Sequence, residues 1–170
     1  MPFPSIRAGK RLWYPRRVRA LGVDYGERRI GLALSDATGL LASPWKTVMN
    51  AGSVSRAAQQ LVDEIRRLER EEPGLSAIVI GLPRRLNGEP TTLTAHVRQL
   101  ASLITGSLDV PVVLQDERLT SSEADELLAG RERDWRRRKR AIDPLAAALI
   151  LQDYLDHRRA VEGPTNTDPA

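Results

Sequence analysis

The stretch "RALGVDYGERRIGLALSD", residues 19–36, places one carboxylate inside an otherwise apolar run. Asp24 follows the apolar letters "ALGV", the short turn "YGERR" comes next, and a second apolar run then begins. Two apolar runs joined by a short turn are typical of a β-hairpin, and we expect Gly26 to supply a turn conformation that other residues adopt only at a cost. Because an unpaired carboxylate is costly within a strand, Asp24 is the first candidate functional residue.

The composition is that of one ordinary globular domain. The chain has 170 residues, of which 41% are hydrophobic and 28% are charged, and this supplies enough apolar surface for a core. The absence of cysteine excludes disulfides and thiolate metal sites. No apolar run approaches the ~18 residues of a membrane span, and the basic N-terminus lacks the apolar segment of a signal peptide. We therefore expect a soluble, cytoplasmic protein with no membrane partner.

Further along the chain, the apolar pattern alternates between strand-like and helix-like segments. A third strand near residues 43–48 contains Pro44, so we expect it at an edge of the sheet. Strands that are joined by helical crossovers run parallel, with helices on both faces of the sheet. The pattern predicts an α/β fold with a mixed five-stranded sheet, in which an antiparallel hairpin and an edge strand are followed by parallel strands flanked by helices. The later segments are the helix "SVSRAAQQLVDEIRRLE", the strand "SAIVIGLP", the helix "TTLTAHVRQLASLI", the strand "VPVVLQDERL", the short helix "SSEADELLAG" and the final helix "DPLAAALILQDYLDHR".

Two segments of the chain are strongly basic. Residues 1–23 hold six basic side chains and no acid, and "RERDWRRRKR", residues 131–140, holds seven basic and two acidic side chains. Both contain aromatic residues, and such segments suit a nucleic acid as partner, although a solvated tail and a solvated loop would have the same composition. We predict a flexible basic extension over 1–16, one folded domain over 17–160 and a disordered tail over 161–170. The candidate nucleic-acid contacts in the second segment are Arg136, Arg137, Arg138, Lys139 and Arg140.

Acidic residues follow the predicted parallel strands. Asp24 ends the first strand, Asp116 and Glu117 end the last, and Asp143 is predicted to open the final helix. Carboxylates that converge at one sheet edge raise one another's pKa unless a cation lies between them, and Mg²⁺ or Mn²⁺ takes such oxygen ligands. Two ions roughly 3.5 to 4 Å apart can activate a water and stabilise the leaving oxygen in phosphodiester hydrolysis.

Each of these acids also has a structural explanation. Asp143 precedes Pro144, and an aspartate N-cap with proline at the first helical position is a common helix start. Asp116 and Glu117 suit the polar end of any strand. Thr120 could form a capping box with Glu123.

Four blocks of the sequence resemble the YqgF/RuvX family, described both as Holliday-junction resolvases and as pre-16S rRNA nucleases. They are "LGVDYGERRIGLALSD", "IVIGLPRRLNGEP", "VVLQDERLTSSEADELL" and "RKRAIDPLAAALILQDYL", and together they span about residues 18–158. The resemblance implies a ribonuclease-H-like fold and places the metal-binding and catalytic carboxylates on Asp24, Glu117 and Asp143. It leaves Gly26, Asp116 and Thr120 as supporting or turn residues. The motif loops add Arg28, Arg29, Arg84, Arg85 and Arg118 as candidate phosphate contacts.

These observations favour a divalent-metal-dependent endonuclease that acts on structured nucleic acid, with two ions of Mg²⁺ or Mn²⁺. The resemblance favours processing of the 5′ end of pre-16S rRNA. An alternative is resolution of four-way DNA junctions, for which a homodimer would be expected.

Two other classes of protein remain. A non-catalytic nucleic-acid-binding protein could keep the same fold. Actin-like ATPases and sugar kinases share the pattern Asp-x-Gly-x-x-x-x-Gly, matched by Asp24, Gly26 and Gly31, but they close two such domains around a nucleotide, and this chain is long enough for only one.

Overall fold

A computed structural model describes residues 19–71, 74–85, 87–116 and 135–162, apart from the side chains of Glu71, Glu162 and residues 135–142. The predicted N-terminal extension, the short helix over 121–130 and most of the predicted C-terminal tail lie outside the described residues. So do Glu117, Arg118, Thr120 and Glu123.

The described part of the chain forms a mixed five-stranded sheet, as the sequence predicts. Its strands lie in the order β3-β2-β1-β4-β5. The pairs β1–β2 and β2–β3 are antiparallel, and β1–β4 and β4–β5 are parallel. The strands are β1 (Arg19–Tyr25), β2 (Arg29–Ser35), β3 (Ala42–Met49), β4 (Leu75–Leu82) and β5 (Val112–Asp116).

Helices cover both faces of the sheet. Successive residues of a strand project to opposite faces, and the central strands carry apolar side chains on each face. On β1, Leu21 and Val23 belong to a large core with α1 (Val54–Glu71) and α2 (Thr92–Thr105). Ala20 lies on the other face, in a smaller core with α3 (Trp135–Glu162). In the parts of the chain that are described, no helix is long and apolar enough to span a membrane.

The last helix begins earlier than the sequence suggests. We expected Asp143 to open it, with Pro144 at its first position, but α3 starts at Trp135 and Pro144 lies inside it. Proline has no N–H to donate to the carbonyl four residues before it, so it interrupts one backbone hydrogen bond. The backbone of the basic residues 136–140 is therefore helical and not a loop.

Two glycines let α3 approach the sheet backbone to backbone. A Cβ on Gly22 would lie 2.7 Å from the carbonyl oxygen of Ala147, and a Cβ on Gly31 would overlap the carbonyl group of Asp143. These contacts are closer than any side chain allows, so Gly22 and Gly31 fix the height of α3 above the sheet. They also fix where along β2 the backbone of Asp143 lies.

The edge position expected for the third strand is confirmed. β3 lies at the end of the sheet and pairs only with β2 among the described strands. Pro44 pairs with Ala33 next to a shift in register between Leu32 and Ala33. Since proline cannot donate to a ladder, it is tolerated at such an edge.

Candidate active site

The β1–β2 pairing brings two of the predicted acids to one place. Asp24 lies directly across from Gly31, and cross-strand partners project on the same face of a sheet. The backbone of Asp143 packs against Gly31 from that same side. Asp24 and Asp143 thus meet under α3, although 118 residues lie between them in the sequence. Those residues form most of the fold.

The environment of Asp24 disfavours its charged form. Burial, the larger cause, and the negative charge of Asp143, the smaller one, together raise the pKa of Asp24 from 3.8 to about 7. Both causes act by making a carboxylate at this position less favourable than the neutral acid. A cation bound between the two carboxylates would cancel the repulsion between them. It would also offset the cost of burying the charged form of Asp24.

Asp143 itself has a basic neighbour on β2. The Nε of Arg29 lies 2.9 Å from Oδ2 of Asp143, and both side chains are largely buried. Arg29 projects on the same face as Gly31 because the two are separated by two positions in a strand. The sequence singled out Arg29 as a phosphate contact; its ion pair with Asp143 was not foreseen, since it depends on α3 crossing β2 at Gly31.

The turn between β1 and β2 is held by a residue that the sequence did not point to. Asn50, just after β3, donates from its side-chain Nδ2 to the carbonyl of Gly26 at 2.8 Å, and its backbone N–H donates to the carbonyl of Arg28 at 3.0 Å. The N–H of Gly26 donates to the carbonyl of Arg29 at 2.9 Å. The backbone that carries Arg29 is therefore fixed on both sides of the turn.

Gly26 is in this turn as predicted, but for a different reason. Its φ is not among the positive values, which occur at Gly39, Gly52, Gly74 and Gly88 in the described residues. A Cβ on Gly26 would lie 2.6 Å from the carbonyl oxygen of Arg29. The requirement is space for a tight hydrogen-bonded turn rather than a left-handed backbone.

The loop after β4 carries two further candidate phosphate contacts. It folds back as a small hairpin, in which Arg84 pairs with Pro90 and the N–H of Arg85 donates to the carbonyl of Glu89 at 2.9 Å. The buried Thr94 anchors this loop, since its hydroxyl donates to the carbonyl of Pro83 at 2.5 Å. Arg84 is half-buried, whereas the side chain of Arg85 is mostly exposed beside Glu89.

Asp116 projects away from the Asp24 face. It lies at the end of β5 in register with Leu82, whose side chain belongs to the core under α1 and α2. Its neighbour Gln115 projects toward α3, where its Nε2 donates to Asp153 at 2.9 Å. The alternation of side chains along β5 therefore places Asp116 on the opposite face of the sheet from Asp24.

For the remaining predicted site residues, the structure describes the backbone alone, or they lie outside the described residues. Residues 136–140 precede Asp143 by three to seven positions on α3, and nothing beyond their helical backbone is described. Glu117, Arg118 and Thr120 belong to the part of the chain between β5 and α3 that is not described.

The donor atoms at the site suit a hard divalent cation. Two carboxylates share one buried corner, and carboxylate oxygens are the ligands that Mg²⁺ and Mn²⁺ prefer. Within the described ranges, no group of three or more acidic, histidine or cysteine side chains could hold a metal. Among the described residues, Asp24 and Asp143 are thus a pair of carboxylates and not a complete set of metal ligands.

Comparisons with known proteins agree with this geometry. The RuvX family, described as "Holliday junction resolvase", matches residues 18–157. A "Putative pre-16S rRNA nuclease" of Chloroflexus aurantiacus is 41% identical over 140 residues, covering 82% of this chain and 88% of the relative. A relative of the same name from Thermosynechococcus vestitus is 40% identical over 141 residues, covering 83% of this chain and 89% of the relative.

A solved structure supports the ribonuclease-H-like fold. The structure titled "Thermus thermophilus RuvC structure" superposes with a TM-score of 0.52 at 14% identity, over 84% of this chain and 97% of that chain. This likeness concerns the fold alone. The descriptions of the family and of both relatives are those of nucleases, which are hydrolases acting on nucleic acid. Because the family match covers most of the chain, and both relatives are well over 30% identical across more than four-fifths of it, the chain belongs to the RuvX family.

Proposed function

We propose that this protein is a divalent-metal-dependent endonuclease that processes the 5′ end of pre-16S rRNA. The observation that carries the proposal is the meeting of Asp24 and Asp143 in one buried corner, with the pKa of Asp24 raised to about 7. A buried acidic pair is unfavourable without a cation, and strongly perturbed carboxylates cluster at functional sites. The choice of RNA follows the names of the relatives, which are pre-16S rRNA nucleases by description.

Three carboxylates have roles in this proposal. Asp24 and Asp143 bind the cation from β1 and α3, and Glu117 completes the set as the resemblance implies. Mg²⁺ or Mn²⁺, as a pair of ions, would supply the positive charge that activates water and stabilises the leaving oxygen in phosphodiester hydrolysis. Asp24 must lose its proton to bind a cation, so the residue also couples binding to pH near neutrality.

Basic residues around this corner would hold the nucleic acid. Arg28 lies exposed on the β1–β2 turn, and Arg84 and Arg85 lie on the anchored loop after β4. Residues 136–140 lie on α3 within about 10 Å of Asp143 along the helix axis, at the usual rise of about 1.5 Å per residue. Arg118 would add a contact close to Glu117. Such contacts position a phosphate backbone without reading its sequence.

Resolution of four-way DNA junctions is the second candidate function. The description of the matching family favours it, and the same carboxylates would serve for either substrate. A junction has two equivalent cleavage positions, so this function calls for a homodimer on the substrate. Cleavage of RNA needs only one copy of the chain.

The test is cleavage of both substrates by the purified full chain. A structured precursor-rRNA fragment and a four-way DNA junction are each incubated with Mg²⁺, with Mn²⁺ and with chelator. Asp24→Asn should abolish cleavage and retain nucleic-acid binding, whereas Asp63→Asn, a matched change of an exposed acid on α1, should leave cleavage unchanged. Cleavage of the junction alone would select the second function, and metal-independent binding without cleavage of either substrate would indicate a non-catalytic protein.

A further inference from the structure

The loop between β2 and β3 holds two leucines in solvent. Leu40 and Leu41 are 43% and 65% exposed, although leucine is among the residues most often fully buried in proteins. They are neighbours in the sequence and lie beside the edge strand of the sheet. Adjacent exposed apolar side chains are candidates for an interaction surface.

Hydrogen bonds fix both leucines in this exposed position. Their backbone N–H groups donate to Oδ1 of Asp36, at 2.8 Å for Leu40 and 3.1 Å for Leu41. The carbonyl of Leu41 accepts the N–H of Asp36 at 2.8 Å, and the carbonyl of Leu40 accepts Nε2 of Gln152 on α3 at 3.0 Å. All four backbone polar groups of the pair are therefore hydrogen-bonded, and the leucines are preorganised for a partner.

The chain that leads into β1 enters the sheet close to these leucines. β1 begins at Arg19, and the N–H of Ala20 donates to Oγ of Ser35 on β2 at 2.8 Å. Ser35 pairs with Ala42, the residue that follows Leu41. The start of β1 and Leu41 are thus two strand spacings apart, which is about 10 Å.

The sequence before Arg19 contains an apolar run within reach of the leucines. Leu12, Trp13 and Tyr14 precede Arg19 by five to seven positions. A chain of this length spans roughly 20 Å when extended, which is twice the distance to be bridged. The proposed function assigns this run no role.

The charges around the two apolar groups are complementary. The residues that flank the run on its two sides are Lys10, Arg11, Arg16 and Arg17. On the domain, Asp36 bonds the backbone of both leucines, and Asp156 accepts the same Nε2 of Gln152 that bonds Leu40. Asp156 also pairs with Arg159, but an exposed ion pair of this kind is weak and leaves room for a second cation.

We propose that residues 11–15 fold back over the β2–β3 loop and pack Leu12 and Trp13 against Leu40 and Leu41. The basic extension is then held against the domain at the opposite end of β1 from Asp24. At the usual rise of about 3.3 Å per residue, this end lies about 17 Å from the carboxylate corner. The proposal is independent of the proposed nuclease activity.

The first test is digestion of the full chain by trypsin, which cuts after lysine and arginine. Docking protects the sites in residues 10–17, because proteolysis follows the population of the open form. Leu40→Gln combined with Leu41→Gln should therefore be cut there about tenfold faster than the unmodified protein. The matched control is Leu103→Gln, which changes a leucine that is 38% exposed on α2, and it should be cut at the unmodified rate.

Disulfide formation is an independent test, and it decides the matter if the double glutamine variant does not fold. The chain contains no cysteine, so Tyr14→Cys can be combined with Leu41→Cys or, as the control, with Leu103→Cys. The first pair should form a disulfide within one chain about tenfold faster than the control pair, because docking raises the effective concentration of the two thiols. Non-reducing gels and mass spectrometry distinguish disulfides within one chain from those between chains.

Four results would overturn the proposal. The first is an equal rate of trypsin cleavage in the unmodified protein and in the double glutamine variant. The second is an equal rate of disulfide formation at positions 41 and 103. The third is a disulfide between two chains in place of one within a chain, which would give the leucines to a second copy. The fourth is protection from trypsin that appears only when the precursor-rRNA fragment is added, which would assign the extension to nucleic acid.

Discussion

Replacement of Asp24 by asparagine is expected to stabilise the metal-free protein at pH 8 while abolishing its proposed activity. At that pH the unmodified protein holds a buried, ionised carboxylate next to Asp143. Asparagine has nearly the same shape and cannot ionise, so the variant avoids this cost. Residues that serve function at the expense of stability behave in this way.

The size and sign of the effect follow from the pKa of Asp24. Its value is 3.8 ordinarily and about 7 in the folded protein, so over this range the folded state binds a proton that the unfolded state has lost. Stability of the unmodified protein therefore falls as pH rises from about 4 to about 7. At about 1.4 kcal/mol per pKa unit, the full loss is about 4 kcal/mol, of which about 2 to 3 kcal/mol falls between pH 5 and pH 8.

The assay is urea unfolding in chelator at pH 5 and at pH 8, for the unmodified protein and for Asp24→Asn. The free-energy advantage of the variant should grow by about 2 to 3 kcal/mol between the two pH values. The exposed Asp63→Asn should show no such growth. Saturating Mn²⁺ should stabilise the unmodified protein and not the variant, because the proposed metal site requires the carboxylate of Asp24.

Two results would refute this reasoning. An Asp24→Asn variant that is less stable than the unmodified protein at pH 8 would mean that the ionised carboxylate is favourable where it lies. A constant difference between the two proteins from pH 5 to pH 8 would mean that Asp24 titrates at its ordinary pKa.

Two further predictions concern the elements that build the site. Gly31→Ala should lower the free energy of unfolding by about 3 kcal/mol or more, because the new methyl group overlaps the backbone of Asp143. The control is Gly106→Ala, whose Cβ has only ordinary contacts. In the same urea titration, this control should change the free energy of unfolding by less than about 1 kcal/mol. Thr94→Val should lower the free energy of unfolding by about 1 to 3 kcal/mol, because the carbonyl of Pro83 loses its donor, and it should weaken binding of the precursor-rRNA fragment. Thr94→Ser keeps the hydroxyl and should restore both the stability and the binding. Equal stability of the valine and serine variants would contradict the proposed anchor.

The sheet and the first two helices could be predicted because their sequence signals are local. β1 and β2 are apolar runs around a short turn, and the edge position of β3 follows from one proline. Helix α1 shows its buried stripe directly in the spacing of residues such as Leu61, Ile65 and Leu68. These patterns depend only on which face of an element meets the core.

The start of α3 and most contacts of the site could not be predicted, because they depend on packing between distant segments. Pro144 gave a strong signal for a helix start, yet the helix continues through it where the glycines of β1 and β2 leave room for its backbone. The ion pair of Arg29 with Asp143 exists only because of that crossing. Asn50 looks like an ordinary residue after a strand, and its bond to Gly26 spans 24 positions.

The proline in β3 also bears on how copies of this chain behave at high concentration. An edge strand exposes backbone groups that can pair with a strand of another molecule, and this edge carries the exposed side chains of Trp45 and Met49. Pro44 removes one donor, and the adjoining shift in register bends the strand out of a regular ladder. The edge that would otherwise be a template for aggregation is therefore a poor partner for another strand.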